Sequence, residues 1–225
     1  MPYLQQLRLR RRLLRHHLPL LVLSILSVAI LYLTRPYRDV LSRASFATAY
    51  PALLLLACTL LLGPWRLLRN KRNPISDDLR RDIGIWAGLL GILHAVVGQC
   101  VHLRGRPWLY YVYEAKSKHS FPLRHDLFGF ANYTGAIATL VLLALLATSS
   151  DYALRAMGTP RWKQLQRYNY ALFALTILHA LAYQFIEKQK FPFVSIVATS
   201  IVATIVLQAL GYRRRKQALV GTQAI

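Results

Sequence analysis

Six blocks of apolar residues, each about 20 long, restrict the fold of this chain more than any other feature. They run over about 18 to 34, 47 to 68, 83 to 103, 127 to 149, 168 to 186 and 191 to 212. A helix of that length crosses a hydrocarbon core of about 30 Å. The apolar residues are continuous within each block, whereas a soluble helix shows an interrupted stripe. With 55% hydrophobic and only 16% charged residues, the chain reads as an all-α polytopic membrane protein, a six-transmembrane-helix bundle.

The net charge of +21 raises the question of nucleic acid, but its placement excludes that partner. Basic residues alternate between loops. One side collects Arg8, Arg10, Arg11, Arg12 and Arg15 of the N-terminal stretch, with Arg66, Arg69, Lys71, Arg72, Arg80 and Arg81 of the second loop. Arg155, Arg161, Lys163 and Arg167 of the fourth loop and Arg213, Arg214, Arg215 and Lys216 near the C-terminus join them, giving 19 of the 29 basic residues. The positive-inside rule then puts both termini in the cytoplasm, and six spans are consistent with both ends on one side. The expected organisation is a basic cytoplasmic tail over 1–17, a transmembrane domain over 18–212 and a second basic tail over 213–225.

A basic stretch, an apolar run and the small residues Ala44, Ala47 and Ala49 resemble a cleavable signal, yet the run from Leu18 to Thr34 is long for one. An uncleaved anchor is expected, and Arg11-Arg12 is not read as a twin-arginine signal. Cys58 and Cys100 lack the paired spacing of a zinc or redox motif and read as packing residues. There is no GxGxxG, Walker loop or Ser-His-Asp signature, so no nucleotide-binding motif is recognisable.

His94 and His179 lie in the middle of the third and fifth blocks. Ionisable groups at that depth usually serve function, and neutral imidazole is a common ligand of metals and haem iron. From Gly84, ten residues at about 1.5 Å each put His94 about 15 Å deep, and His179 lies about 14 Å beyond Tyr170. Spans three and five run in the same direction, so the two histidines are expected to face each other at one height. At 100° per residue Ala87, Gly91, His94 and Gly98 fall within about 60° on the helix. Those small residues suit close helix packing or a flat cofactor over the imidazole. Position alone leaves the pair open between ligands of one centre and buried hydrogen-bond donors.

Several residues together resemble the ferric-reductase-like transmembrane domain family, and within it the haem-binding subunits of bacterial methionine sulfoxide reductase systems. They are Arg80, Arg81, Gly84 and His94, then Thr148 and Ser149, then Trp162, Leu165, Tyr170 and His179. The resemblance covers about residues 64 to 187. It implies a b-type haem with His94 and His179 as axial ligands to its iron; Gly91 and Gly98 would then pack on the haem face, and Arg80 and Arg81 are candidates for contact with its propionates. Gln166 stands where relatives usually carry another haem-ligating histidine, which puts a second haem in doubt.

The implied function is electron relay across a membrane, most simply a bacterial inner membrane. The donor would be a separate cytoplasmic reductase, a flavin or the quinone pool, and the acceptor an outer-side soluble protein or metal. No flavin or nicotinamide domain is recognised in these 225 residues, so the chain reads as the haem subunit of an oxidoreductase with no catalytic residue of its own. A quinol-oxidising cytochrome b and a non-redox transporter or assembly factor are the alternatives.

His102 and His125 form a candidate second site on the outer side, His102 being read on the same helix as His94 and about 12 Å beyond it. The competing reading makes them, with His119, interfacial histidines. His16 and His17 read as plain surface charge. The outer loop carries Trp108, Tyr110, Tyr111, Tyr113 and Phe121 among Arg104, Arg106, Lys116, Lys118 and Arg124, which reads as an aromatic belt against membrane lipid or as a docking surface for the acceptor. Arg80, Arg81 and Arg167 at the inner end also suit anionic lipid.

Overall fold

A computed structural model describes residues 7, 9–35, 37, 39–69, 78–103, 105–114 and 120–223. Arg8, Lys71, Arg72, Arg104, Lys116, Lys118 and His119 lie outside the described residues. Among the described residues the fold is all-α, with only an isolated bridge between Val112 and Leu123 in the outer loop. The helices are α1 (Leu18–Thr34), α2 (Val40–Leu68), α3 (Asp78–Gly98), α4 (Leu127–Ala147), α5 (Asp151–Met157), α6 (Thr159–Gln166), α7 (Tyr168–Ile186) and α8 (Phe193–Gln223). Six helical stretches are long and apolar enough to cross a membrane. The chain is a multi-pass integral membrane protein.

Side-chain caps set where several helices begin. The Asp39 carboxylate accepts from Ser42 N at 2.8 Å, so α2 starts seven residues before the apolar block that suggested it. Asp126 accepts from Gly129 N at 2.7 Å to open α4, and Ser150 Oγ accepts from Ala153 N at 3.0 Å to open α5. Gly158, at φ +72°, joins α5 to α6 in a backbone conformation that favours glycine.

The third helix ends at Gly98, short of the expected residue 103. The fully buried Tyr110 closes that end, its hydroxyl donating to Gly98 O at 3.0 Å and accepting from His102 N at 2.8 Å. His102 therefore sits in the turn beyond α3, not on the helix of His94. At the other extremes, helix precedes α1 from Leu9 through a π-helical turn, Leu13–His17, and α8 runs on through Arg213 to Lys216.

α2 is the hub of the bundle and packs on α1, α3, α7 and α8. Its buried face includes Leu53, Leu56, Ala57 and Leu60, against Ile83, Ala87 and Leu90 of α3. α4 and α7 form a second close pair, and α3 joins the two pairs by packing on α4. The seam between these pairs is where the two mid-span histidines meet.

Candidate functional site

The rings of His94 on α3 and His179 on α7 stand 6.0 Å apart between centroids, inclined at 78°. The expectation that the two face each other at one height holds. Each ring is anchored by the neighbouring helix of its own pair. His94 Nδ1 lies 2.9 Å from Ser45 O of α2, and His179 Nδ1 lies 2.8 Å from Ala131 O of α4. A carbonyl only accepts, so each Nδ1 carries the proton and donates. In a neutral ring that choice of tautomer leaves Nε2 as a bare lone pair.

The two anchors are built alike. Thr48 Oγ1 donates to Ser45 O at 3.0 Å, and Thr134 Oγ1 donates to Ala131 O at 2.9 Å, each threonine lying three residues beyond its carbonyl. Both threonines are buried. Beside His179, Gly135 leaves room that no other residue could: a Cβ there would come within 2.7 Å of Nδ1 and 2.9 Å of Cε1. Both histidines are half-buried within the bundle.

This donor set fits a metal held between two imidazoles. Histidine ligands characteristically donate the other ring N–H to a carbonyl or carboxylate, which orients the ring and raises its basicity. Two imidazole–metal bonds of about 2 Å each, with the ring radii added, bring ring centroids to about 6 Å, the spacing seen. Among the described residues no group of three histidine, cysteine or acidic side chains gathers as a self-sufficient metal site. A centre that brings its own equatorial ligands, as haem does, needs only the two axial ones that the pair offers.

Residues 46–177 match the family described as ferric reductase like transmembrane component. This chain belongs to that family. The match includes His94 and stops two residues before His179. Among curated relatives, the protein-methionine-sulfoxide reductase heme-binding subunit MsrQ of Yersinia pseudotuberculosis serotype O:1b is 34% identical over 135 residues, which is 60% of this chain and 59% of that protein. Its namesake in Yersinia pestis strain Pestoides F is also 34% identical over 135 residues, with 58% of its length covered. The matched region thus spans under two thirds of these relatives.

The other family-type positions scatter around the pair. Gly91 faces α4, where a Cβ would meet Leu142 Cδ2 at 2.8 Å, and Gly98 faces Ser45 of α2. Arg80 and Arg81 lie about 20 Å down α3 from His94. Arg81 is buried and bonds to Asp151 Oδ1 at 2.5 Å and Asp78 Oδ1 at 3.2 Å, while Arg80 lines an inner cavity. Gln166 closes α6 just below α7, and Trp162 Nε1 donates to Thr148 O at 3.0 Å to hold that inner corner.

His102 and His125 have separate surroundings. His102 Nε2 lies 3.8 Å from Glu187 Oε1, with Phe128, Tyr110 and Tyr183 around its ring. His125 packs edge-on to Tyr113 at 5.3 Å. Tyr183, which also contacts His179 at 4.9 Å and donates to Asn132 Oδ1 at 3.0 Å, lies between the mid-span pair and His102. In the outer loop Trp108 and Phe121 are exposed, whereas Arg124 is structural, donating from Nε to Leu109 O at 2.8 Å.

His16 and His17 are not plain surface charge. The carboxylate of Asp82 on α3 is wholly buried, and it takes a side-chain bond from Arg12, His16 Nδ1 at 2.8 Å and the approach of His17 Nε2 at 3.4 Å. Trp86 Nε1 contacts His17 Nδ1 at 3.3 Å on the same side. Asp82, Ser45, Ala131 and Gly135 were not singled out in the sequence, because an anchoring carbonyl belongs to any residue type and only three-dimensional placement selects it.

Proposed function

We propose that this chain is the membrane haem subunit of an electron-transfer system, with one b-type haem bound axially by Nε2 of His94 and His179. One observation carries the reading: both Nδ1 atoms are spent on backbone carbonyls, which leaves Nε2 free on each of two rings whose centroids stand 6.0 Å apart. Haem would supply reversible one-electron chemistry, its potential tuned by axial ligation and by burial. The protein groups do the rest. Ser45 and Ala131 hold the tautomers, and Gly135 admits the second imidazole.

The MsrQ relatives are named as heme-binding subunits of a protein-methionine-sulfoxide reductase, and we carry that role to this chain. Electrons would enter on the basic, cytoplasmic side from a separate reductase, a flavin or quinol. They would leave on the opposite side for a soluble partner. The charge distribution supports both termini inside, with the transmembrane domain over 18–212 in a bacterial inner membrane. His102 and His125, in unlike surroundings, support no second haem.

The absorption spectrum of the purified protein, oxidised and after dithionite, tests this reading. A low-spin b-type spectrum with sharp reduced bands is expected. A colourless preparation from haem-replete cells would sink the proposal and favour a non-redox membrane protein.

A further inference from the structure

Two turns below the histidine pair, α3, α4 and α7 part around a cavity of about 470 Å³, within the range of sites that hold small molecules. Its top is marked by Ala87, Leu142 and Leu172, seven residues and so about 10 Å below His94, Gly135 and His179. The upper walls are apolar, with Leu56 and Leu145 completing them. The lower rim is cationic: Arg80 of α3, Lys163 of α6, Arg167 ahead of α7 and Arg215 of α8 converge from four segments. No carboxylate lines the cavity among the described residues, and Asp78 and Asp151 are engaged by Arg81 behind it.

Two buried donors on this lining have no partner among the described residues. Gln166 Oε1 accepts from Asn169 Nδ2 at 3.2 Å, while Gln166 Nε2 is buried with nothing to donate to. Arg81, with its side chain only 6% exposed, likewise leaves Nε without an acceptor. A buried donor without an acceptor is costly, so each suits an acceptor from outside the chain. Cations and amide N–H groups attract anionic oxygen. With no histidine on the lining among the described residues, this cavity lacks the imidazole ligands of a second haem.

We propose that the cavity seats the phosphate of an anionic phospholipid such as phosphatidylglycerol. The phosphate lies among Lys163, Arg167, Arg215 and the Gln166 amide, and the apolar part of the lipid lies against the leucines above. Basic pockets between transmembrane helices on the cytoplasmic side are the usual place for such headgroups. A free phosphate would satisfy the rim and leave the apolar walls wet, whereas an amphiphile covers both. The proposal is independent of haem, because its residues are not those that hold the histidines.

The test is lipid retention measured by native mass spectrometry on the full chain from phosphatidylcholine nanodiscs with and without phosphatidylglycerol. The triple variant Lys163→Gln, Arg167→Gln, Arg215→Gln is compared with Arg10→Gln, Arg11→Gln, Arg15→Gln, which removes the same charge from exposed positions. Loss of retained phosphatidylglycerol on the order of tenfold in the first triple, against little change in the second, is expected. Equal losses in both, or full retention in the first, would overturn it. Should the first triple fail to fold, Gln166→Leu serves instead, with a severalfold loss expected and unchanged retention overturning the proposal. Inorganic phosphate that displaces the lipid at millimolar levels would identify a soluble anion as the occupant and also overturn it.

Discussion

The same two helices, α3 and α7, carry two unlike regions. At mid-span they bring together two imidazoles whose Nδ1 atoms already have partners. Two turns lower they border a cavity with a cationic rim, where Gln166 Nε2 and Arg81 Nε have none. The upper region has its hydrogen bonds complete and only two lone pairs left, which suits a metal centre. The lower region is short of acceptors, which suits an anion. On these proposals one scaffold would separate two binding chemistries by about 10 Å of helix.

The comparison breaks most visibly at the upper region. His94→Ala or His179→Ala is expected to abolish low-spin haem, read from the reduced spectrum, and a normal bis-histidine spectrum in either variant would refute the ligand assignment. Gly135→Ala tests the orienting cradle. A Cβ within 2.7 Å of His179 Nδ1 displaces the ring from Ala131 O, and haem retention during dialysis is expected to fall on the order of tenfold. Unaltered retention would show that the ring tolerates the shift.

At the inner end, on the face of α3 turned from the cavity, Asp82→Ala leaves Arg12 without its buried partner. The expected loss is about 3 kcal/mol, measured as a lower midpoint of thermal unfolding, with the haem spectrum of the folded protein unchanged. A spectrum that changed before unfolding would tie this cluster to the mid-span site. The smallest effect is expected on the outer side, where His102→Ala should leave the low-spin spectrum unaltered.

Much of this was legible in the sequence because membrane spans announce themselves by length and composition. The span over 168 to 186 coincides with α7, and the paired depth of His94 and His179 followed from rise per residue alone. The end of α3 was not legible, since hydropathy continues through Val101 and Leu103 while the hydroxyl of a tyrosine 12 residues away closes the helix at Gly98. The N-terminal stretch misled for a similar reason. Basic residues before an apolar run read as solvated charge, and only the fold shows that Asp82, 66 residues from His16, draws Arg12, His16 and His17 inward. The Ser45 and Ala131 carbonyls leave no mark in residue type at all, although the threonine three positions beyond each is a pattern that could be sought.

The central claim is that the mid-span pair holds a haem and that the inner cavity does not. Haem-to-chain stoichiometry of the purified protein, from pyridine haemochrome against amino-acid analysis, tests it most directly. One haem per chain is the predicted result, and two per chain would contradict it.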